Sequence, residues 1–193
     1  MYNQIDQYVG RCISLDENEL ADFHSILHHK KVKKKTFLLQ KGEICDFEAY
    51  IIKGCIKVYY LDDDGNEVIL LFAIEDWWVS DIASFTDRKP SNLFIETLED
   101  CELLVVRYED KEILYQKVPR LERMFRLMIQ RAYVVLQNRF FATLSQPAEE
   151  RYLNFLKRYP TIPQRVPQHQ IAAYLGISPE FLSKIRAKLA HQK

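Results

Sequence analysis

The sequence predicts an α+β protein built as an antiparallel β-roll (a double-stranded jelly roll), one long helix and a helix-turn-helix. Three observations carry that expectation. Short β-rich runs separated by turn residues fill Thr36 to Val106. An amphipathic stretch without interior proline or glycine follows at 118–144. Beyond it lies IAAYLGISPEFLSKIRAKL, in which Gly176 and Ser178-Pro179 divide two apolar-periodic segments.

The totals set bounds. With 193 residues, 48% of them hydrophobic, the chain can bury a substantial core, which argues against disorder. The formal charge is zero, but it is unevenly distributed. From Arg151 onward there are eight basic residues and one acid, a charge near +7; the preceding part has 19 basic and 26 acidic residues, near −7. That split predicts a basic module attached to an acidic body. The longest apolar run, VILLFAI at 68–74, has the length of a strand and not of a membrane span. MYNQIDQYVGRC has no secretory apolar stretch, so a cytoplasmic location is expected, with no membrane partner. Cys12, Cys45, Cys55 and Cys101 are scattered without metal-ligand spacing and read as buried reduced thiols.

Taken in order, the elements begin with a helix over 15–29. Leu15, Leu20, Phe23, Ile26 and Leu27 recur at helical spacing, and Ser14 with Glu17 forms a candidate capping box. His24 and His28 would share a face of this helix, but no third ligand accompanies them, and a solvated face is the simpler reading. KKVKKK at 30–35 reads as a solvated edge leading into a strand. TFLL, EAYIIKG, CIKVYYL, EVILLFAI, LFIETL and CELLVV then supply strands, and Asp64-Gly65 is expected to take positive φ in a hairpin.

In the 118–144 helix, Leu121, Phe125, Met128, Ala132 and Val135 form one apolar stripe, while Met124, Leu127, Val134 and Phe141 form another. Two stripes need two burial partners. The roll supplies one, and a second copy of the same helix is the economical source of the other, so a homodimer is expected. SQPAEERYLNFLKRYP at 145–160 predicts a further helix, acidic at its start and basic at its end, with TIPQRVP as a connector.

In the last segment Ile171, Leu175, Ile177, Leu182 and Ile185 are apolar where two crossed helices share a core. Ala172 is small at their approach, Gly176 permits the turn, and Ser178-Pro179 caps and starts the second helix. Its exposed positions, Glu180, Ser183, Lys184, Arg186 and Lys188, suit base edges and phosphates of double-stranded DNA. Gln168, His169, Ser178 and Pro179 complete the candidate interface. An ordinary helical hairpin with a basic face is the plainer alternative.

At this point the chain resembles the catabolite-activator (Crp/Fnr) superfamily of bacterial transcription regulators. LLQKGEICDFEAYIIKGCIKVYYLDDDGNEVILLF matches its cyclic-nucleotide-binding-like roll, 118–144 its dimerisation helix and IAAYLGISPEFLSKIRAKL its helix-turn-helix. The resemblance implies a sensor domain at 1–117, a dimerisation helix at 118–144 and a DNA-binding domain at 145–193. It places Glu180 and Lys184 where members read bases, and Pro179 where nucleotide-responsive members often carry arginine. It implies a palindromic DNA site, RNA polymerase as a further partner and a small-molecule effector. The chain ends soon after the recognition helix, so contacts from a C-terminal wing are not expected.

The resemblance also lays SDIASF (80–85) and RKPSN (88–92) over the family's phosphate-binding cassette. Responsive members hold the nucleotide with a glycine, an acid, an arginine and a hydroxyl residue; here those positions hold Ser80, Asp81, Ser91 and Asn92. Burying a phosphate requires a cation, and none stands at Ser91. Arg88 and Lys89 precede Pro90 in a surface turn and read as solvated charges. The expected effector is therefore not cAMP, the alternative being a genuine cyclic-nucleotide-responsive regulator. The candidate effector pocket comprises Trp77, Trp78, Ser80, Asp81, Ser84, Arg88, Ser91 and Asn92. Adjacent tryptophans on a strand would face opposite ways, and both read as packing or as an aromatic wall. A metal-dependent cupin enzyme is disfavoured because His24, His28, His29, His169 and His191 all fall outside the expected strands. No catalysis, metal or cofactor is expected.

Overall fold

A computed structural model describes residues 1–191. The chain divides into two compact units: Met1–Val58 with Phe72–Ala132, and Tyr59–Leu71 with Tyr133 onward.

The first unit opens with α1 (Asn3–Gly10), an element absent from the sequence-based expectation. Ile5, Tyr8 and Val9 are its buried residues, an i, i+3, i+4 set. Helix α2 runs Glu17–Ser25, shorter than the expected 15–29 and capped differently. Asp16, not Ser14, accepts the Glu19 amide, and the Glu19 carboxylate accepts the Asp16 amide. The helix stops because the next residues belong to a sheet: β1 (His28–Val32) pairs antiparallel with β8 (Cys101–Arg107).

Between them lie β2 (Phe37–Leu39), β3 (Phe47–Lys53), β4 (Ile56–Leu61), β5 (Glu67–Ala73), β6 (Trp78–Val79), α3 (Ile82–Asp87) and β7 (Phe94–Thr97). They form two four-stranded sheets, β1-β8-β3-β6 and β2-β7-β4-β5, the double layer of a roll. KKVKKK supplies most of edge strand β1 and its exit, as expected of a charged edge. Gly54 makes the turn between β3 and β4 at φ +119°, where a Cβ would come within 2.9 Å of the Cys101 Cα. Only glycine fits there.

His28 and His29 lie on β1, which corrects the expectation that every histidine falls outside the strands. Their rings meet carboxylates, His28 with Asp110 at 3.0 Å and His29 with Glu102 at 2.6 Å, while His24 on α2 meets Asp6 at 2.7 Å. His24 and His28 thus occupy different elements. Among the described residues no cluster of His, Cys, Asp and Glu is placed to hold a metal ion.

Helix α4 (Tyr108–Lys117) leads from β8 into α5 (Arg120–Ser145), which spans about 39 Å at 1.5 Å per residue. Its first half closes a core with Ile5, Tyr8, Phe23, Tyr50, Leu104 and Leu114, burying Leu121, Met124, Phe125 and Met128. Its remainder belongs to the second unit, with α6 (Ala148–Arg158), α7 (Ile162–Arg165), α8 (Gln168–Leu175) and α9 (Pro179–His191). The connector TIPQRVP thus contains a helical turn. The β4–β5 hairpin tip also belongs here. Only Gly65 of the Asp64-Gly65 pair takes positive φ, because the Asp62 carboxylate accepts the Asp64 and Asn66 amides and shapes the loop itself. No described helix is long and apolar enough to cross a membrane.

Candidate nucleic-acid interface and sensor cassette

The helix-turn-helix is built on an aromatic and aliphatic core. Phe155, Tyr159 and Tyr174 pack with ring centroids 5.2–5.9 Å apart, and Ile171, Ala172, Leu175, Leu182 and Ile185 are buried around them. Ile177 is only half-buried. Gly176 ends α8 at φ +66°, and the Ile177 amide reaches back to the Ala172 carbonyl at 3.1 Å. The Ser178 hydroxyl then accepts the Phe181 amide at 3.1 Å, capping α9 ahead of Pro179.

Two arginines fasten the end of α8. Arg151 Nη1 donates to the Leu175 carbonyl at 2.8 Å, and Arg139 Nη2 donates to the Tyr174 carbonyl at 2.6 Å. Both cations sit at a helix C-terminus, where carbonyl dipoles favour positive charge. Neither residue stands out in the sequence, because what they bind is backbone.

The outer face of α9 presents Glu180, Ser183, Lys184 and Arg186, all exposed, together with Phe181, an apolar ring outside the expected polar set. Glu180 is held below the usual carboxylate range by its own backbone amide and by the Ser178 hydroxyl. Lys188 is not free: its ammonium meets Glu149 of α6 at 2.6 Å. Gln168 and His169 are exposed on the first turn of α8.

The apolar stripes of α5 divide differently from expectation. Met124 joins Leu121, Phe125 and Met128 in the core, while Ala132 is exposed. In the second unit Tyr133, Leu136, Phe140 and Leu144 lie exposed at spacings of three, four and four, flanked by Val134 and Phe141. Those spacings place four large side chains on one face.

In the cassette, Asp81 caps α3 by accepting the Ala83 and Ser84 amides, and its second oxygen accepts the Ser91 hydroxyl at 2.6 Å. The Ser84 hydroxyl accepts the Cys45 amide at 2.9 Å and donates to the Lys89 carbonyl at 2.5 Å. Ser80 donates to the Phe47 carbonyl at 2.8 Å. Arg88 is exposed, as expected, but its guanidinium also donates to the Cys45 carbonyl at 3.0 Å and lies 4.5 Å from the Tyr108 ring centroid. Lys89 remains exposed.

Ser80, Asp81, Ser84 and Ser91 are thus drawn together near Cys45 and Phe47, with their hydroxyl and carboxylate groups bonded within the protein, while Arg88 gives one N–H to the Cys45 carbonyl. Asn92 is exposed. Trp78 lies elsewhere, its ring packed with Tyr50 and Phe125, each 5.5 Å away between centroids, and its indole Nε1 is buried without an acceptor among the described residues. Trp77 precedes β6 and does not share a strand with it.

Residues 29–117 match the cyclic nucleotide-binding domain family. The chain is 24% identical over 180 residues to the cAMP-activated global transcriptional regulator CRP of Salmonella typhimurium, covering 88% of this chain and 86% of that protein. It is 22% identical over 104 residues to the CRP-like protein Clp of Xanthomonas campestris, covering 54% and 45%. Among solved structures, the c-di-GMP responsive global regulator CLP of Xanthomonas campestris superposes with TM-score 0.75 at 18% identity, covering 92% of this chain and 93% of that one. FixK2 from Bradyrhizobium japonicum gives TM-score 0.76 at 17% identity, with 86% of each chain covered. A roll of the cyclic nucleotide-binding class joined through a long helix to a helix-turn-helix defines the architecture. Over most of its length the chain is similar in sequence to CRP and in fold to the solved structures named above.

Proposed function

We propose that this protein is a homodimeric, sequence-specific DNA-binding transcription regulator of the Crp/Fnr type. The observation that carries the reading is α9, an exposed polar and basic helix set on its partner by the Gly176 turn and the Ser178 cap. Lys184 and Arg186 supply phosphate and base contacts, while Glu180 and Ser183, on the first turns, read base edges. The exposed face of α5 takes a second copy of itself, so that two recognition helices enter successive major grooves about 34 Å apart on a palindromic site. RNA polymerase is the further partner of such a regulator, and the cytoplasm is its location.

The effector read by the roll is not cAMP. What supports this is the closed state of the cassette: Asp81 is committed to Ser91 and to the α3 cap, and the position that needs a cation holds that serine. A phosphate placed there would meet a carboxylate.

Selection from a random DNA pool tests the central reading. The expected result is an enriched palindrome whose binding is markedly weakened in a Lys184→Ala/Arg186→Ala double variant; no enrichment, or unchanged binding in that variant, would sink it.

A further inference from the structure

The second unit has a cavity of about 430 Å³, partly open to solvent, between the last turns of α5, the length of α6 and the end of α8. That volume lies within the range of about 300–1,000 Å³ common for small-molecule sites. Arg139, Arg151 and Arg158 line it, and no acid does. Phe155 and Leu175 contribute apolar wall.

The charges here are unbalanced. Arg139 satisfies its N–H groups on carbonyls alone: Tyr174 at 2.6 Å, Ile69 at 2.9 Å and Leu70, with its guanidinium 4.0 Å from the Tyr174 ring centroid. Carbonyls and a ring face stabilise a cation but do not neutralise it, and burial pushes this guanidinium below its ordinary pKa. Arg151 gives one N–H to Leu175, while its buried Nε finds no acceptor among the described residues. No carboxylate lies within ion-pair reach of either arginine among the described residues. Half-buried cations without counter-ions carry a desolvation cost, and an oxyanion would supply both the charge and the acceptor.

The position of the cavity leaves it open to ligand when α5 is paired. At about 100° per residue, Ala142 falls on the side of α5 opposite Tyr133, Phe140 and Leu144, while Arg139 lies about 60° from Leu136 at the margin of the stripe. A second copy seated on the exposed stripe therefore leaves the Ala142 side of the cavity open.

We propose that this cavity is a binding site for a small aromatic oxyanion, a carboxylate or phosphate ester whose charged end meets Arg151 and Arg139 and whose ring lies against Phe155. Both arginines also hold the last carbonyls of α8, so occupancy acts on the segment that sets the recognition helix. Binding stands on the cavity alone; its effect on DNA affinity rests on the regulator reading above.

Isothermal titration of the full chain with benzoate, phenyl phosphate and inorganic phosphate tests the site separately from DNA binding. At least one aromatic probe is expected to bind with Kd of about 1 mM or tighter, and at least tenfold more tightly than inorganic phosphate; which one it is distinguishes carboxylate from phosphate ester. Arg151→Gln should weaken that binding at least tenfold. Ala142→Phe, which fills the cavity without touching a guanidinium, should do the same, and Arg88→Gln in the roll should leave it unchanged. Circular dichroism establishes that each variant is folded, and Arg158→Gln replaces Arg151→Gln if the latter is not. The proposal is overturned if neither aromatic probe binds, if inorganic phosphate binds as tightly, if binding survives both cavity variants, or if Arg88→Gln abolishes it.

Discussion

Lys111 Nζ lies 2.5 Å from Glu48 Oε2, buried between β3 and helix α4, with the Glu48 side chain 2% exposed and that of Lys111 11% exposed. The ammonium also sits 4.1 Å from the Phe125 ring centroid, so α4 and α5 both meet at this one charge. Removing one member of such a pair strands the other in an apolar interior. Lys111→Met is therefore expected to lower the unfolding free energy by about 3–5 kcal/mol. The Glu48→Gln/Lys111→Met double variant should recover most of that stability, because neither residue then carries a charge. Urea denaturation of the wild type and the two variants measures this, and a double variant as unstable as Lys111→Met would contradict it.

The same pair sets a pH dependence. Burial raises the Glu48 carboxyl above its ordinary value of 4.5, against the opposing pull of Lys111. Below 4.5 both folded and unfolded chains hold the proton. Between 4.5 and the raised folded value only the folded chain does, so stability from this group falls as pH rises through that window. Glu48→Gln lacks the titration. The stability difference, wild type minus Glu48→Gln, should thus decline from pH 4 upward and level off above the raised value; a difference that rises with pH over this range would show the carboxyl to be lowered.

The roll and the helix-turn-helix are legible in the sequence because both depend on local rules. Gly176, Ser178 and Pro179 write a turn and a cap in adjacent residues, and the β-runs alternate between turns. Helix α1 is harder to see because only Ile5, Tyr8 and Val9 mark it. The cap of α2 falls on Asp16 rather than Ser14 because the two offer the same chemistry two positions apart, and packing of the helix decides between them. What stays hidden is long-range: Arg88 turning to the Cys45 carbonyl, and Arg139 and Arg151 reaching the end of α8. Arginine that binds backbone leaves no pattern in sequence, since its partner has no side-chain identity.

The stripe Tyr133, Leu136, Phe140 and Leu144 yields a test of the dimer proposal. Each side chain is more than half exposed, so a charge placed there meets water in the monomer and apolar surface in the dimer. Leu136→Glu/Phe140→Glu is expected to shift sedimentation from dimer to monomer at micromolar concentration while leaving the far-ultraviolet dichroism of the fold intact. A variant that remains dimeric would place the interface elsewhere.

Lys188 separates a basic residue engaged by the protein from those available to DNA. Its ammonium is held by Glu149 at 2.6 Å, whereas Lys184 and Arg186 project from the exposed face of α9. Each phosphate that a cation neutralises adds about 0.9 to the magnitude of the slope of log K against log salt. Lys184→Ala/Arg186→Ala should therefore flatten the slope by about 1.8 if both side chains meet phosphates. Lys188→Ala should change it far less, because Glu149 already neutralises that charge. Glu149→Gln should steepen the slope by releasing Lys188 toward the DNA. Fluorescence anisotropy on the selected site across a salt series reads all three, and equal slopes for Lys188→Ala and for a single Lys184→Ala would show that the Glu149 pair opens on DNA.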